Sequence, residues 1–345
     1  MGSWPNTVSE PISNTHKEIC PVVGHDRTFE SIYTGTSKER ESMHEIAAES
    51  DLFVASSLIW YRIRAYSREA FSEFFGTMIL VLFGDGVVAQ VLLSHGQKGD
   101  YQSISWGWGL GVMLGVYASG SSGAHINPAV TFANCIFRGF SWRKFPVYAI
   151  AQIFGAMCGA TIVYGNYKSA IDVYEGGPNI RTVPGYSTTA TAGIFCTYPA
   201  EFMTKTGQFF SEFLASAILM FMIFALKDNN NLGAGKLMPL ALFFVIFGIG
   251  ACFGWETGYA INMARDFGPR LISYMLGYGH EVWEAGGYYF WVPMVAPFLG
   301  CAFGGCVYDF FLYVGVDSPI NTPWMGIDRL LGSLHGRKLV VVSPV

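Results

Sequence analysis

Long apolar segments alternate with short polar ones through the middle of the chain, between about residues 69 and 314. Six of these segments approach or exceed the roughly 20 apolar residues that a helix needs to cross a bilayer. They lie at about 69–93, 103–119, 144–164, 208–226, 237–255 and 288–314. Two further runs, at about 127–137 and 262–273, are only about half as long. The pattern predicts an all-α membrane protein with six transmembrane helices and two re-entrant half-helices.

Each half-length run begins with an asparagine. Asparagine in front of a helical run is a favoured N-cap, because its side-chain oxygen accepts a backbone N–H of the first turn. Proline fits the next position, where its missing N–H costs nothing. The two motifs are Asn127-Pro128-Ala129 and Asn262-Met263-Ala264. We therefore predict two short helices that open on these asparagines, the second with methionine in place of proline.

The two halves of the chain repeat each other. The segment Phe71-Ser72-Glu73-Phe74 recurs 139 residues later as Phe210-Ser211-Glu212-Phe213, and Trp108-Gly109-Leu110-Gly111 recurs at the same offset as Phe247-Gly248-Ile249-Gly250. Each unit has three spans, and an odd number of spans forces the two units into opposite orientations. Inverted repeats place a shared site near the middle of the bilayer, where interrupted helices meet. We predict a membrane domain at 69–314, with repeat one at 69–166 and repeat two at 208–314.

Polar segments flank this domain. Residues 1–68 are rich in Ser, Thr and Glu and cannot bury enough apolar surface to fold alone, although a short amphipathic helix around 43–60 fits their pattern. Six spans put both chain ends on one side of the membrane, and Lys and Arg are more numerous on that side, which makes it the cytoplasmic side. We predict cytosolic tails at 1–68 and 315–345 on a multi-pass protein of the cell membrane.

Composition excludes several classes of protein. Apolar residues make up 51% of the chain and charged residues only 13%, whereas a soluble domain has about 25% charged residues. A net charge of −4 without a basic face gives no sign of a nucleic-acid partner. The seven cysteines form no CxxC pair, so they predict neither a metal site nor a disulfide framework. Without a phosphate-binding loop, metal cluster or nucleophile–base pair, we expect no enzyme and no cofactor.

The paired half-helix motifs within matched three-span units resemble the major intrinsic protein family, the aquaporins. The segment Ala264-Arg265-Asp266-Phe267-Gly268-Pro269, the run that begins at Trp108 and the long loop before the fourth span are similar to its glycerol-conducting branch, the aquaglyceroporins. The segment 318–324 resembles fungal members. The resemblance implies a passive, homotetrameric channel for glycerol, other small polyols and water, which excludes protons and ions.

For the asparagines, the resemblance implies that Asn127 and Asn262 donate hydrogen bonds to solutes in the pore. The two helix N-termini would face each other, each with about +0.5 of an elementary charge, and this field opposes cations and protons. Both asparagines could instead be caps alone. The family has proline where this chain has Met263. We expect the pore to survive the change, with the methionine packed against the other half-helix.

The resemblance also implies a selectivity filter made of Trp108, Gly250, Tyr259 and Arg265. A guanidinium stays charged and offers a fixed fork of donors, and aromatic rings opposite it suit the carbon edge of a polyol. Gly250 lies where water-selective members carry a bulky residue, so we expect it to widen the pore. Structural alternatives remain open: Arg265 could have only a structural role, bound to Asp266 or to a loop carbonyl, and the aromatic residues could belong to the interfacial belt. A residue missing from 117–123, relative to the family pattern, leaves the register of Trp108 open.

Four residues are expected to brace the re-entrant loops: Glu73, Glu212, His125 and Asp266. Acids within spans are costly and need partners, and loop backbone at membrane depth must be satisfied by protein. The resemblance implies that each glutamate accepts backbone N–H groups of its own repeat's loop. A proton relay is the alternative, but it needs a chain of titratable groups that the sequence does not show. No firm role is assigned to Asp85, which could face the pore mouth or a contact between spans.

Two other functions remain as alternatives to a polyol channel. The N-terminal tail could gate the pore, which would make the protein an osmotic sensor or a mostly closed channel. The pore could also be a water-selective aquaporin, although Gly250 argues against this. Flux measurements of water and glycerol, with and without the tail, would separate the three.

Overall fold

A computed structural model of the chain describes residues 57–322. These residues contain nine α-helices, and from Ile63 onward they belong to one compact unit. The helices are α1 (Ile59–Leu93), α2 (Tyr101–Ala118), α3 (Pro128–Phe137), α4 (Phe145–Tyr174), α5 (Lys205–Lys227), α6 (Met238–Phe253), α7 (Met263–Ser273), α8 (Glu281–Tyr288) and α9 (Trp291–Phe311). No β-strand occurs within 57–322. The predicted all-α membrane fold is confirmed.

Five helical segments of the described chain are long and apolar enough to cross a membrane, namely α1, α4, α5, α9 and α6 together with the 3-10 turn before it (Gly235–Phe253). The sixth predicted span is α2, which forms at its predicted place with 18 residues. Its sequence contains glutamine, serines and several glycines, which lower its mean hydropathy. Because α2 is well packed against other helices, glycine serves it better than a larger apolar residue would.

The two half-helices form where the sequence predicts them. Helix α3 has 10 residues and α7 has 11. Asn127 and Asn262 are their N-caps, with nearly the same backbone angles: φ −156° and ψ 122° for the first, φ −151° and ψ 111° for the second. Neither helix could cross a bilayer, since about 20 residues are needed.

Glycines draw the long helices of each repeat together in matching ways. In repeat one, a Cβ on Gly155 or Gly159 of α4 would collide with the carbonyl oxygens of Phe74 or Met78 in α1. In repeat two, Gly300 and Gly304 of α9 lie in the same way against the carbonyl oxygens of Phe213 and Ala217 in α5. Phe213 lies 139 residues after Phe74, and Ala217 lies 139 residues after Met78, so the contact follows the internal repeat. The backbones touch directly, as small-xxx-small spacing allows.

The helix boundaries differ from the predicted spans at three places. Helix α1 begins at Ile59, not near residue 69, and α4 continues to Tyr174, so the long loop runs from about 175 to 204 and not from 167. Hydropathy marks where a helix leaves the apolar layer, not where it ends. The extension of α4 is polar but is stabilised by an i,i+4 ion pair between Lys168 and Asp172 (2.8 Å).

The third difference is helix α8, which lies in a segment predicted as loop and follows a π-helical turn at Tyr274–Tyr278. Its eight residues are too few to show a helical period. Most of the predicted tails, including most of the amphipathic helix at 43–60, lies outside the described residues.

Candidate pore and selectivity filter

The tips of the two half-helices are bonded to each other across the middle of the molecule. The side-chain amide of Asn127 donates to the carbonyl oxygen of Ile261 (2.8 Å), and the amide of Asn262 donates to the carbonyl oxygen of Ile126 (2.8 Å). The amide oxygens accept backbone N–H groups of their own helices, as caps. An amide NH2 has two donor hydrogens, and each asparagine uses one of them for the opposite loop. The second hydrogen of each amide stays available to a solute.

The backbone before each asparagine is strained in the same way. Ile126 has φ 44° and Ile261 has φ 43°, a region that β-branched residues rarely adopt. Two residues earlier, Ala124 (φ 52°) and Tyr259 (φ 39°) also have positive φ. Strain of this kind costs about 1–3 kcal/mol per residue and persists only where the surroundings enforce it. These loops therefore need strong anchors.

Two buried glutamates supply the anchors. Glu73 in α1 accepts the backbone N–H groups of His125 (3.0 Å) and Ile126 (2.7 Å). Glu212 in α5 accepts those of Ala260 (2.9 Å) and Ile261 (2.8 Å). Both carboxylates are fully buried. Each carboxylate thus holds the strained loop of its own repeat, and at membrane depth such N–H groups have no water to bond instead.

The remaining hydrogen bonds of the two glutamates come from different side chains. Glu73 also accepts from Ser122 Oγ (2.5 Å) and Gln152 Nε2 (2.7 Å). Glu212 accepts from Thr257 Oγ1 (2.7 Å) and, more weakly, from Tyr289 OH (3.2 Å). Every oxygen of both carboxylates is thus paired, which accounts for two acids inside apolar helices.

A cavity of about 90 Å³ runs past both asparagines. A water molecule needs about 10–15 Å³ of such volume, so the cavity is large enough for several water molecules. Apolar side chains of α2, α5 and α6 form much of its wall. The polar and aromatic residues on its wall include Trp108, Asn127, Lys227, Tyr259, Asn262 and Arg265. Both amides therefore border the passage and are not shut away from it.

Arg265 is held at this wall by three neighbours. Its NH1 donates to the carbonyl oxygen of Phe195 (3.0 Å), and its Cζ lies 3.9 Å from the centre of the Trp108 ring. Its NH1 also lies 3.9 Å from a carboxylate oxygen of Asp85. A guanidinium stacked on an aromatic ring is well oriented and keeps other N–H groups for solutes. The structure thus brings Trp108 and Arg265 together, in spite of the open register of Trp108.

Gly250 lies behind the ring of Tyr259. It is not among the cavity-lining residues of the described chain, because the Tyr259 ring lies over it. A Cβ on Gly250 would come within 2.8 Å of Cζ and OH of that ring. The missing side chain thus makes room for Tyr259, and a wider passage through Gly250 stays a prediction.

Asp266 braces the loop that covers α7 and is paired with a residue that sequence reasoning missed. Its Oδ2 accepts the backbone N–H (2.8 Å) and Oγ1 (2.6 Å) of Thr197. The fully buried Arg270 donates to both Asp266 oxygens and to the carbonyl oxygens of Thr197 and Val282. The signal was available: Asp and Arg four residues apart lie on one helix face. Arg270, not Arg265, is therefore the partner of Asp266 in the tight ion pair.

His125 lies two residues before the first asparagine, and Met263 directly follows the second. His125 lines the cavity, and its Nδ1 lies 3.2 Å from Thr131 Oγ1 within the same repeat. Met263 is half-buried at the first position of α7, where Asn262 caps two N–H groups, one more than Asn127 caps. The cap therefore forms without proline.

One further lining residue gave no signal in the sequence. Lys227, at the end of α5, borders the same cavity as Asn127 and His125. A lysine at the end of an apolar span normally only marks topology. Within 57–322, no three His, Cys, Asp or Glu side chains are grouped as a metal site.

Comparison with known proteins gives one consistent result. The profile of the major intrinsic protein family matches residues 61–308. Aquaglyceroporin-9 of Botryotinia fuckeliana is 72% identical over 297 residues, which is 86% of this chain and 65% of that relative, so the chain spans just under two thirds of it. The probable aquaglyceroporin-2 of Gibberella zeae is 75% identical over 321 residues, or 93% of this chain and 95% of the relative.

A solved structure is also similar. The X-ray structure of the aquaglyceroporin from Plasmodium falciparum matches with a TM-score of 0.62 and 34% sequence identity. The match covers 71% of this chain and 96% of that one. Almost all of the Plasmodium falciparum structure is therefore matched, whereas a larger part of this chain has no counterpart in it.

Proposed function

The chain belongs to the major intrinsic protein family, and we propose that it is an aquaglyceroporin, a passive channel that conducts glycerol, other small polyols and water across a membrane. It is a multi-pass membrane channel and not an enzyme. The names of two fungal relatives, at 72–75% identity, support the choice of permeant. No covalent step occurs, so selectivity depends on the width of the passage and its charged and hydrogen-bonding groups.

The observation that carries the proposal is the stacking of Arg265 on Trp108 beside Tyr259. A polyol has hydroxyls along one edge and carbons along the other. The guanidinium offers donors to the hydroxyls, while the rings offer an apolar surface to the carbons. A site of this shape suits glycerol better than an all-polar ring of groups would.

The asparagine pair is proposed as the second element of the mechanism. Each amide keeps one donor hydrogen for a passing hydroxyl, while its other hydrogen bonds the opposite loop. The facing N-termini of α3 and α7 add about half a positive charge each at the same level. This field opposes protons and other cations, while neutral solutes pass.

The assembly, topology and loop-bracing roles are part of the same proposal. We propose a homotetramer in the cell membrane with a channel domain at 69–314. The excess of Lys and Arg on the side of the tails supports cytoplasmic termini. Large apolar side chains are exposed on the described helices, among them Phe154, Phe244 and Phe303. They suit contact with lipid or with other subunits.

The test is stopped-flow light scattering on proteoliposomes that contain the purified chain, with glycerol, urea and water gradients. The proposal expects glycerol and water flux well above empty liposomes. Strong water flux with glycerol at background would instead identify a water-selective pore. A chain without residues 1–56, which keeps all of α1, serves as the second sample. Flux that appears only in this shorter chain would identify a pore gated by its tail.

A further inference from the structure

Asp85 in α1 is an unexplained buried acid. Its side chain is fully buried, and neither carboxylate oxygen has a hydrogen-bond partner among the described residues. The other acids buried in the helices differ: Glu73 and Glu212 accept four hydrogen bonds each, and Asp266 and Asp309 accept bonds from arginines. A carboxylate without partners in an apolar helix is costly. Loop bracing does not account for Asp85.

The position of Asp85 relates it to the filter. The nearest cation is Arg265, whose NH1 lies 3.9 Å from Oδ1, a distance too long for a hydrogen bond but short for two opposite charges. The neighbouring Gly84 lies directly beneath the Trp108 ring, which would collide with any Cβ there. Gly84 and Asp85 therefore lie next to the two stacked groups of the filter, the Trp108 ring and the Arg265 guanidinium.

We propose that Asp85 is a positioning and specificity-determining residue of the filter, which holds the Arg265 guanidinium against the Trp108 ring and offsets its charge. The inference rests on the proposed function above. The other fixed anchor of Arg265 is the single bond from NH1 to the Phe195 carbonyl. Without the charge of Asp85, the guanidinium is free to move from the ring into the passage. The narrowed passage then obstructs glycerol more than the smaller water molecule.

The first test replaces the charge with a side chain of the same shape, Asp85→Asn, in proteoliposomes. We expect glycerol permeability per channel to fall about fivefold or more, while water permeability changes less than about twofold. Asp85→Glu keeps the charge and should recover part of the glycerol flux. An unchanged glycerol-to-water ratio in Asp85→Asn would overturn the proposal. If the natural chain itself conducts no glycerol, the proposed function fails instead.

A double-mutant cycle shows whether Asp85 acts through Arg265. In an Arg265→Val background, Asp85→Asn should change the glycerol-to-water ratio little, because the group that Asp85 positions is gone. An equal effect of Asp85→Asn in both backgrounds would contradict the proposal.

Stability supplies a measurement that does not require flux. Arg265→Val leaves the Asp85 carboxylate buried without its counter-charge, which is strongly destabilising. The double variant Arg265→Val/Asp85→Asn should therefore unfold at a higher temperature in detergent than Arg265→Val alone. A double variant no more stable than the single one would count against the charge pairing.

The matched control is Asp309→Asn. Asp309 is also a buried acid beside an arginine on an aromatic ring: Arg138 donates to it at 2.7 Å and lies 3.8 Å from the centre of Phe224. Neither Asp309 nor Arg138 is among the cavity-lining residues. The control should lower thermal stability without changing the glycerol-to-water ratio. A shift in that ratio as large as in Asp85→Asn would show that any buried acid has this effect, and would overturn the proposal.

Discussion

The two half-helices reach the same geometry from different sequences. One begins Asn127-Pro128 and the other Asn262-Met263, yet their caps differ by no more than 11° in φ or ψ. Both preceding isoleucines have the same positive φ, and both loops are anchored by a glutamate in the first helix of their repeat. The comparison indicates that asparagine and carboxylate fix the tips, while the first helical residue is secondary.

The two repeats differ in what surrounds these tips. The side chains of α3 itself are uncharged, and its ion pair, between the C-cap residue Arg138 and Asp309, lies at the end away from the passage. Around α7 the contacts are ionic: Arg265 faces the passage, and the buried pair of Asp266 and Arg270 ties α7 to the covering loop. The half-helix that carries a cation at the passage is thus also the one that has an ion pair within its own length.

The largest effect is expected where the two repeats are alike, at the glutamates. Glu212→Ala leaves two loop N–H groups and two hydroxyls without their acceptor. At about 1–3 kcal/mol for each unsatisfied group, the loss is about 4 kcal/mol or more. We expect little folded protein after size-exclusion chromatography, and Glu73→Ala should behave in the same way. A folded channel with full flux from either variant would refute the anchoring role.

A smaller loss of stability, confined to repeat two, is expected at Arg270. Arg270→Met removes the partner of the fully buried Asp266, and breaking a buried pair costs about 3–5 kcal/mol. Asp266→Asn added to Arg270→Met should restore part of the thermal stability, because no bare charge then remains. The stability is measured by thermal unfolding in detergent. Equal stability of the single variant and the natural chain would mean that the buried Asp266–Arg270 pair does not stabilise α7.

How far could these features be predicted from the sequence? The half-helices and the asparagine caps could be predicted from local rules and from the internal repeat. The anchoring role of the glutamates was predicted only through the resemblance to the family. The environment of Asp85 was not, because its partner Arg265 is 180 residues away and no repeat copy indicates it. The contact of Gly250 with Tyr259 could not be predicted, because one sequence does not show which ring fills the space beside a glycine.

Gly250 provides the next prediction. Gly250→Ala forces Tyr259 to move, since the new Cβ would lie 2.8 Å from its ring. We expect the displaced ring to raise the barrier to glycerol by about 1 kcal/mol, which corresponds to about a fivefold fall in glycerol flux. The matched control is Gly248→Ala in the same helix, where a Cβ meets nothing within 4 Å. Helix propensity favours alanine equally in both, so a loss of flux in both variants would exclude Tyr259 as the cause.

The smallest effect is expected at the one position where the motifs themselves differ. Met263→Pro supplies the proline of the first motif at a first helical position, where a proline that fits the native φ adds about 0.4–1 kcal/mol of stability through the unfolded chain. Because the cap of Asn262 is already formed with methionine, glycerol and water permeability should stay within about twofold of the natural chain. The reverse change, Pro128→Met, should cost a similar small amount of stability and leave permeability equally unaffected. A tenfold gain in flux from Met263→Pro would mean that the methionine holds the second tip away from its open geometry, and the equivalence of the two caps would then be only apparent.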